Sequence, residues 1–152
     1  MKVGIATDHG GFTLKEEVKE YLESAGFSVT DYGAHTYEKT DDFPDYVLPL
    51  ARGVAQGEVE RGIAVCGSGV GASIAANKIK GVRAALITET YSAHQGVEHD
   101  ELNLMCIGGR VIGIELAKEL IDAFLGATYE GAERQQRRMQ KIAAVEANWP
   151  QG

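Results

Sequence analysis

The chain has 152 residues, a net charge of −7 and a pI near 5.1, with 44% hydrophobic and 24% charged residues. That is the length and composition of one ordinary globular domain, and the acidic balance disfavours non-specific binding to nucleic acid or to an anionic membrane surface. No apolar run approaches the roughly 18 residues that cross a bilayer. The two cysteines form no CxxC and no secretory leader precedes Val3, which fits a reducing cytoplasm.

Strand-like and helix-like segments alternate along the whole chain. Val3-Gly4-Ile5-Ala6 is an apolar strand ending at Thr7-Asp8-His9-Gly10-Gly11. Leu14, Val18, Tyr21, Leu22 and Ala25 then recur at helical spacing until Gly26. Residues 27–33 read as a second strand, a polar loop runs from Lys39 to Asp42, and Val47, Leu50, Ala51 and Val54 mark a helix. A third strand, 62–66, enters a glycine turn and a small-residue helix over 72–78. Residues 82–87 and 104–107 make the fourth and fifth strands, with a helix around 91–97 between them. Ile114, Ala117, Leu120, Ile121 and Phe124 mark a further helix, and a last one spans about 130–146, where it leaves the body after Ala127-Thr128-Tyr129.

The strands are continuously apolar rather than alternating, so both sheet faces are covered, as in a parallel sheet with crossover helices. Five of them predict a Rossmann-like three-layer α/β/α sandwich. No repeat or composition break divides the chain, so residues 1–152 read as a single domain.

Ligands bind such sheets beyond the carboxyl ends of the strands. Three of those ends carry unusual residues: Asp8-His9, the turn Cys66-Gly67-Ser68-Gly69-Val70-Gly71, and Gly108-Gly109-Arg110. Glycines let backbone approach a ligand, and helix-start amides attract an anion. The turn matches neither the dinucleotide fingerprint nor a Walker loop. A thiol at a helix start is favoured as thiolate, which makes Cys66 more than a small buried hydrophobe. Cys106, in mid-strand with no such turn, keeps the plain core reading.

His35 lies in a polar loop, and His94 within a helix suits surface or core. His9 and His99 sit beside Asp8 and Asp100 near element ends; each reads equally as a site residue or a satisfied surface histidine. No paired ligands occur at the spacing of a structural zinc site. Arg134, Arg137, Arg138 and Lys141 form a basic stripe in which Arg134 and Arg138 stand i,i+4, able to face one phosphate. A solvated helix face is the commoner meaning of such a run.

Taken together, Asp8-His9-Gly10-Gly11, residues 66–71, Ile74-Ala75-Ala76-Asn77-Lys78, Glu98-His99-Asp100 and Gly108-Gly109-Arg110-Val111 resemble ribose-5-phosphate isomerase type B. That group includes the subunits of galactose-6-phosphate isomerase, and the resemblance runs from residue 2 to about 146. It implies an aldose–ketose isomerase of carbohydrate metabolism and the pentose phosphate pathway, working through a cis-enediolate without metal or organic cofactor. By resemblance, Cys66 is the base, His99 opens the sugar ring, and Asp8 and Ser68 hold the reacting oxygens. Backbone at Gly67, Gly69, Val70 and Gly71 cradles the enediolate, Asp100 contacts substrate, and His9, Arg110, Arg134 and Arg138 bind phosphate. The family also implies a homodimer, or a tetramer of paired dimers, with some of these residues coming from the partner through the last helix.

Three positions depart from the family pattern. Asp100 stands where asparagine is common, Phe43 where tyrosine often precedes the proline, and Gln135 where histidine often follows the first arginine. They leave the choice of sugar open between ribose 5-phosphate and another aldose phosphate, a hexose 6-phosphate or a tetrose phosphate. Two other classes compete: a non-catalytic sugar-phosphate or nucleotide-binding module, against which Cys66 and His99 both stand, and a cysteine redox or hydrolytic enzyme, which would want a resolving cysteine.

Overall fold

The computed structural model describes residues 1–149. Its elements are β1 (Lys2–Thr7), a 3-10 turn (His9–Gly11), α1 (Phe12–Ser24), β2 (Ser28–Asp31), α2 (Pro44–Gln56), β3 (Arg61–Cys66), α3 (Val70–Ala76), β4 (Ala84–Leu86), α4 (Thr90–Asp100), β5 (Leu104–Gly108), α5 (Ile114–Gly126) and α6 (Glu133–Ala147). The five strands are all parallel, in the order β2-β1-β3-β5-β4, the Rossmann-like α/β arrangement expected from the continuous apolar strands.

Alternation along each strand sends successive residues to opposite layers. Val3, Ile5, Ile63, Val65, Met105 and Ile107 pack with α1, α4 and α5. Ala6, Ala64, Cys66, Leu104 and Cys106 pack with α2 and α3. The chain leaves β1 to pair β2 on one side and returns to place β3 on the other. The crevice at that reversal is where open α/β sheets bind ligands, and it lies between the ends of β1 and β3, at Asp8 and Cys66.

The edge strands are shorter than the apolar runs suggested. β4 keeps three residues of the expected six, and Asn77 occupies the start of its free side. The Asn77 amide takes the Ala84 N–H at 2.9 Å and donates to the Ala84 carbonyl at 2.8 Å, which blunts an edge that could otherwise recruit another strand. β2 ends formally at Asp31, yet Thr7 still bonds Gly33 and Ala34, so its pairing reaches as far as the sequence indicated.

Lys15 is fully buried in α1, at the spacing of the apolar stripe Leu14, Val18 and Leu22. Its ammonium donates to Asp31 Oδ2 and to the Ala34 carbonyl, both at 2.9 Å. Burial alone would push the Asp31 carboxyl up; the Lys15 ammonium and the Gly33 amide outweigh that and hold it below the ordinary carboxylate range. The cation thus pins the start of the loop that carries Asp41 and Phe43 to the site.

Candidate active site

Cys66 closes β3 with 5% of its surface exposed. Gly69 follows with φ +88°, a left-handed conformation that glycine adopts without strain, and this turns the Gly69 amide back to donate to Cys66 Sγ at 3.1 Å. Val70 N–H likewise donates to Ser68 Oγ at 3.2 Å. Two amides of the turn therefore hold the thiol and the hydroxyl, while Gly67 and Ser68 line the cavity beside them.

Three glycine loops interlock around this turn. A Cβ on Gly10 would stand 2.9 Å from the Gly67 nitrogen, and one on Gly108 2.7 Å from the Ser68 carbonyl oxygen. The Gly109 amide donates to the Cys66 carbonyl at 2.7 Å, and the Arg110 amide to Gly67 O at 3.1 Å. Packing this close fixes the thiol relative to Asp8 and Arg110. Asp8 is 7% exposed, and its Oδ1 accepts from the Gly10 amide at 2.9 Å.

Asp8, Cys66, Gly67, Ser68, Gly71 and Arg110 line one cavity of about 420 Å³, with Phe43 and Val111 as its apolar wall. The Phe43 ring lies over Gly71, whose Cβ, if present, would be 2.7 Å from it. A larger groove of about 760 Å³ runs between β4, α4 and α6. It is lined by no cysteine, whereas the smaller cavity gathers the Cys66 thiol with Asp8, Ser68 and Arg110. Cys106 is fully buried on the same sheet face, and burial with Cys66 nearby pushes its thiol up, in keeping with an inert core residue.

The chain gathers Asp8, Cys66, Ser68 and Arg110 as expected, with His9 adjoining Asp8. It does not bring His99, Asp100, Arg134 or Arg138 to them. α4 starts at the carboxyl edge of the sheet and runs back, and its 11 residues span about 16 Å, so His99 and Asp100 end at the amino edge. There His99 Nδ1 meets Gln95 Nε2 at 3.1 Å and Nε2 faces Glu130 at 3.5 Å. Gln135, fully buried, donates to Glu130 at 2.9 Å and joins α6 to this cluster. Asp100 lies along the larger groove. Arg110, Arg134 and Arg138 are exposed, and no ion pair among the described residues uses them.

Two contributors escaped the sequence reading. Asp41 lies in the stretch read only as a polar loop, yet its Oδ1 is 2.7 Å from His9 Nδ1. Lys15 had a signal, since it occupies an apolar position of the α1 stripe.

An open parallel sheet with a thiol, a hydroxyl and a carboxylate gathered over its reversal point defines an α/β protein shaped to hold a small polar ligand. A family model described as Ribose/Galactose Isomerase matches residues 3–142, and the chain belongs to that family. It is 47% identical over 145 residues to ribose-5-phosphate isomerase B of Escherichia coli (strain K12), covering 95% of this chain and 96% of that one. It is 39% identical to D-erythrulose-4-phosphate isomerase of Pectobacterium atrosepticum, over 86% of each chain. Among solved structures, Clostridium thermocellum ribose-5-phosphate isomerase B superposes with a TM-score of 0.94 at 42% identity, covering 99% of this chain and 100% of that one.

Proposed function

We propose that the chain interconverts ribose 5-phosphate and ribulose 5-phosphate, in a reducing cytoplasm where both thiols stay free. The observation that carries this reading is the buried Cys66 thiol, aimed by the Gly69 amide into a cavity shared with Asp8, Ser68 and Arg110. As thiolate, Cys66 removes the C2 proton of the open-chain aldose. The C2–H electrons form the C1–C2 double bond, the carbonyl π pair moves onto O1, and a cis-enediolate results. The O2 proton then passes to O1, and as the O2 lone pair forms the C2 carbonyl the C1–C2 π pair takes the proton back from Cys66 at C1, giving the ketose. Amides of Gly67, Ser68 and Gly71, at a helix start, oppose the charge on the enediolate oxygens; Asp8 and Ser68 hold the hydroxyls that exchange protons. Every step is acid–base, and the residues named supply it without a cofactor.

His99 opens the sugar ring, and Arg134 and Arg138 join Arg110 at the phosphate, with Asp100 and His9 as further substrate contacts. Within one chain the first three and Asp100 stand away from Cys66, so the reading requires a second copy to deliver them. Residues 1–152 then act as one isomerase domain whose helix over about 130–146 packs on its partner in a homodimer, with dimers able to pair into tetramers. Exposed Val70 and Ile74 on α3, Leu86 on β4, and Ile142 and Val145 on α6 supply apolar surface for such contact.

The second reading, another aldose phosphate, is favoured by two residues. Phe43 puts an apolar ring, with no hydroxyl to offer, against the cavity, and Asp100 accepts hydrogen bonds but donates none when ionised. Turnover of ribose 5-phosphate, a tetrose 4-phosphate and hexose 6-phosphates, compared by kcat/KM, decides between them. Ribose 5-phosphate should lead; equal or better turnover of another sugar defeats the first reading. No turnover of any, with phosphate still bound, would leave a sugar-phosphate-binding module.

A further inference from the structure

His99 lies in the last turn of α4 with a neighbour at each ring nitrogen. Gln95, one turn earlier, places its Nε2 3.1 Å from His99 Nδ1, and Glu130 Oε2 stands 3.5 Å from Nε2. Glu130 is itself held from two sides. Its backbone N–H donates to the Glu98 carbonyl at 2.9 Å, and its Oε2 accepts from Gln135 Nε2 at 2.9 Å. Gln135 is fully buried, and its other end, Oε1, accepts the Ala132 N–H at 2.9 Å. A buried amide bonded at both ends has one favoured orientation, so α6 delivers the Glu130 carboxylate to the end of α4 as a fixed group. Among the described residues no lysine or arginine pairs with Glu130.

An ionised carboxylate accepts hydrogen bonds and donates none, so the imidazole nitrogen it faces is the one that carries a hydrogen. With the Gln95 amide donating to Nδ1, neutral His99 keeps its hydrogen on Nε2. The imidazolium has one there in any case, and a Gln95 amide turned over, oxygen toward the ring, serves that form equally. The other carboxylate within 4.8 Å, Glu98, is engaged by His94 Nδ1 at 2.7 Å. The acids that follow, Asp100 and Glu101, lie toward Tyr129, and Arg83 reaches Glu101 at 3.8 Å. At 3.5 Å the Glu130 contact is longer than an ordinary N–H···O bond. The hydrogen on Nε2 is therefore aimed without being committed, and His99, 30% exposed, is open to a ligand oxygen.

We propose that Glu130, held by Gln135, is a positioning residue that keeps a hydrogen on His99 Nε2 for the ring oxygen of a cyclic sugar phosphate. When a furanose opens, the C1–O4 bond breaks and its electron pair stays on O4, which takes the Nε2 proton of the imidazolium. The O1–H pair becomes the second bond of the C1 carbonyl, and the O1 proton passes to solvent, which recharges the imidazole. The sugar rests on the reading above; the place of the hydrogen does not.

Imidazole ¹⁵N spectra of the full chain at about pH 8.5, above the ordinary histidine range, should show neutral His99 with its hydrogen on Nε2. With ribose 5-phosphate, Glu130→Ala should lower kcat/KM about tenfold, the scale of one hydrogen bond to a charged group. Glu130→Gln, which keeps an acceptor oxygen for the Nε2 hydrogen, should recover most of the loss. Ribulose 5-phosphate has no ring to open, because O5, the oxygen that would close a five-membered ring on C2, carries the phosphate. Exchange of its C1 hydrogen for deuterium in heavy water thus reads the Cys66 step apart from ring opening, and in Glu130→Ala it should stay within about twofold of the parent. A neutral His99 with its hydrogen on Nδ1, a Gln variant as poor as the Ala variant, an Ala variant as active as the parent, or exchange falling in step with ribose 5-phosphate turnover would each overturn the proposal. Absence of ribose 5-phosphate turnover in the unmutated chain would defeat the proposed function alone, because the spectra still decide where the hydrogen sits.

Discussion

Lys15→Met would remove a buried cation and leave an apolar chain of similar length in its place. Lys15 is fully buried between two carboxylates, the half-exposed Glu16 at 2.6 Å and Asp31, 10% exposed, at 2.9 Å. Truncating one member of a buried pair strands the other charge, at a cost of about 3–5 kcal/mol. Here the Gly33 amide still donates to Asp31 Oδ1 at 2.9 Å and Lys19 Nζ stays 3.5 Å from Asp31 Oδ2, which places the expected loss at the lower end, about 3 kcal/mol. For a chain of this size that is a fall in Tm of roughly 6–12 °C. The pH dependence gives an independent handle. Asp31 has a lowered folded-state pKa, so its contribution is present above the unfolded value of about 3.9 and is lost as pH falls through the folded value. The gap between parent and variant should therefore be widest near neutrality and shrink on acidification, followed by thermal melts from pH 7 down to about 3. Because Lys15 also anchors Ala34, and through it the loop to Phe43, KM should rise severalfold with kcat less affected. A Tm loss below about 2 °C, or a gap that widens in acid, would refute the assignment of Lys15 and Asp31 as a stabilising buried pair.

Cys66→Ala should lower turnover by about 10²–10⁴-fold, the usual contribution of a proton-transfer group, while circular dichroism and inorganic phosphate inhibition stay near the parent; retained activity would remove the thiol from the reaction. Gly69→Ala forces a side chain into φ +88° with its Cβ 2.7 Å from Leu86 Cδ1, so about 1–3 kcal/mol of stability should be lost, together with most activity as the amide swings off Sγ; an unchanged melt would show that the turn relaxes freely. Mixing inactive Cys66→Ala and His99→Asn chains by unfolding and refolding should restore about a quarter of parent activity, because random pairing of a two-fold dimer makes half the dimers mixed and gives each of those one intact site. No recovery would place Cys66 and His99 in the same chain's site.

Much of the fold was legible because continuous apolar runs and helical periodicity are local consequences of burial on both sheet faces. Cys66, Ser68 and Asp8 were legible for a related reason. A parallel sheet places every strand's carboxyl end on one edge, so residues following apolar runs meet there whatever the strand order. The same topology, followed one step further, puts Glu98-His99-Asp100 at the opposite edge, since a crossover helix must return the chain to the start of the next strand. That signal was present in the element order and went unused.

What the sequence determined by itself was the set of elements, the α/β class and the placing of Cys66 and its glycine turn at the end of β3, because these follow from the order and type of neighbouring residues. Only the tertiary structure decided that Asp41 closes on His9, that Lys15 is a buried cation, and that His99, Arg134 and Arg138 stand apart from Cys66. Each of these depends on where a loop or helix end comes to rest against residues distant in the chain. That resting place is set by the summed packing of both layers, which no local pattern encodes.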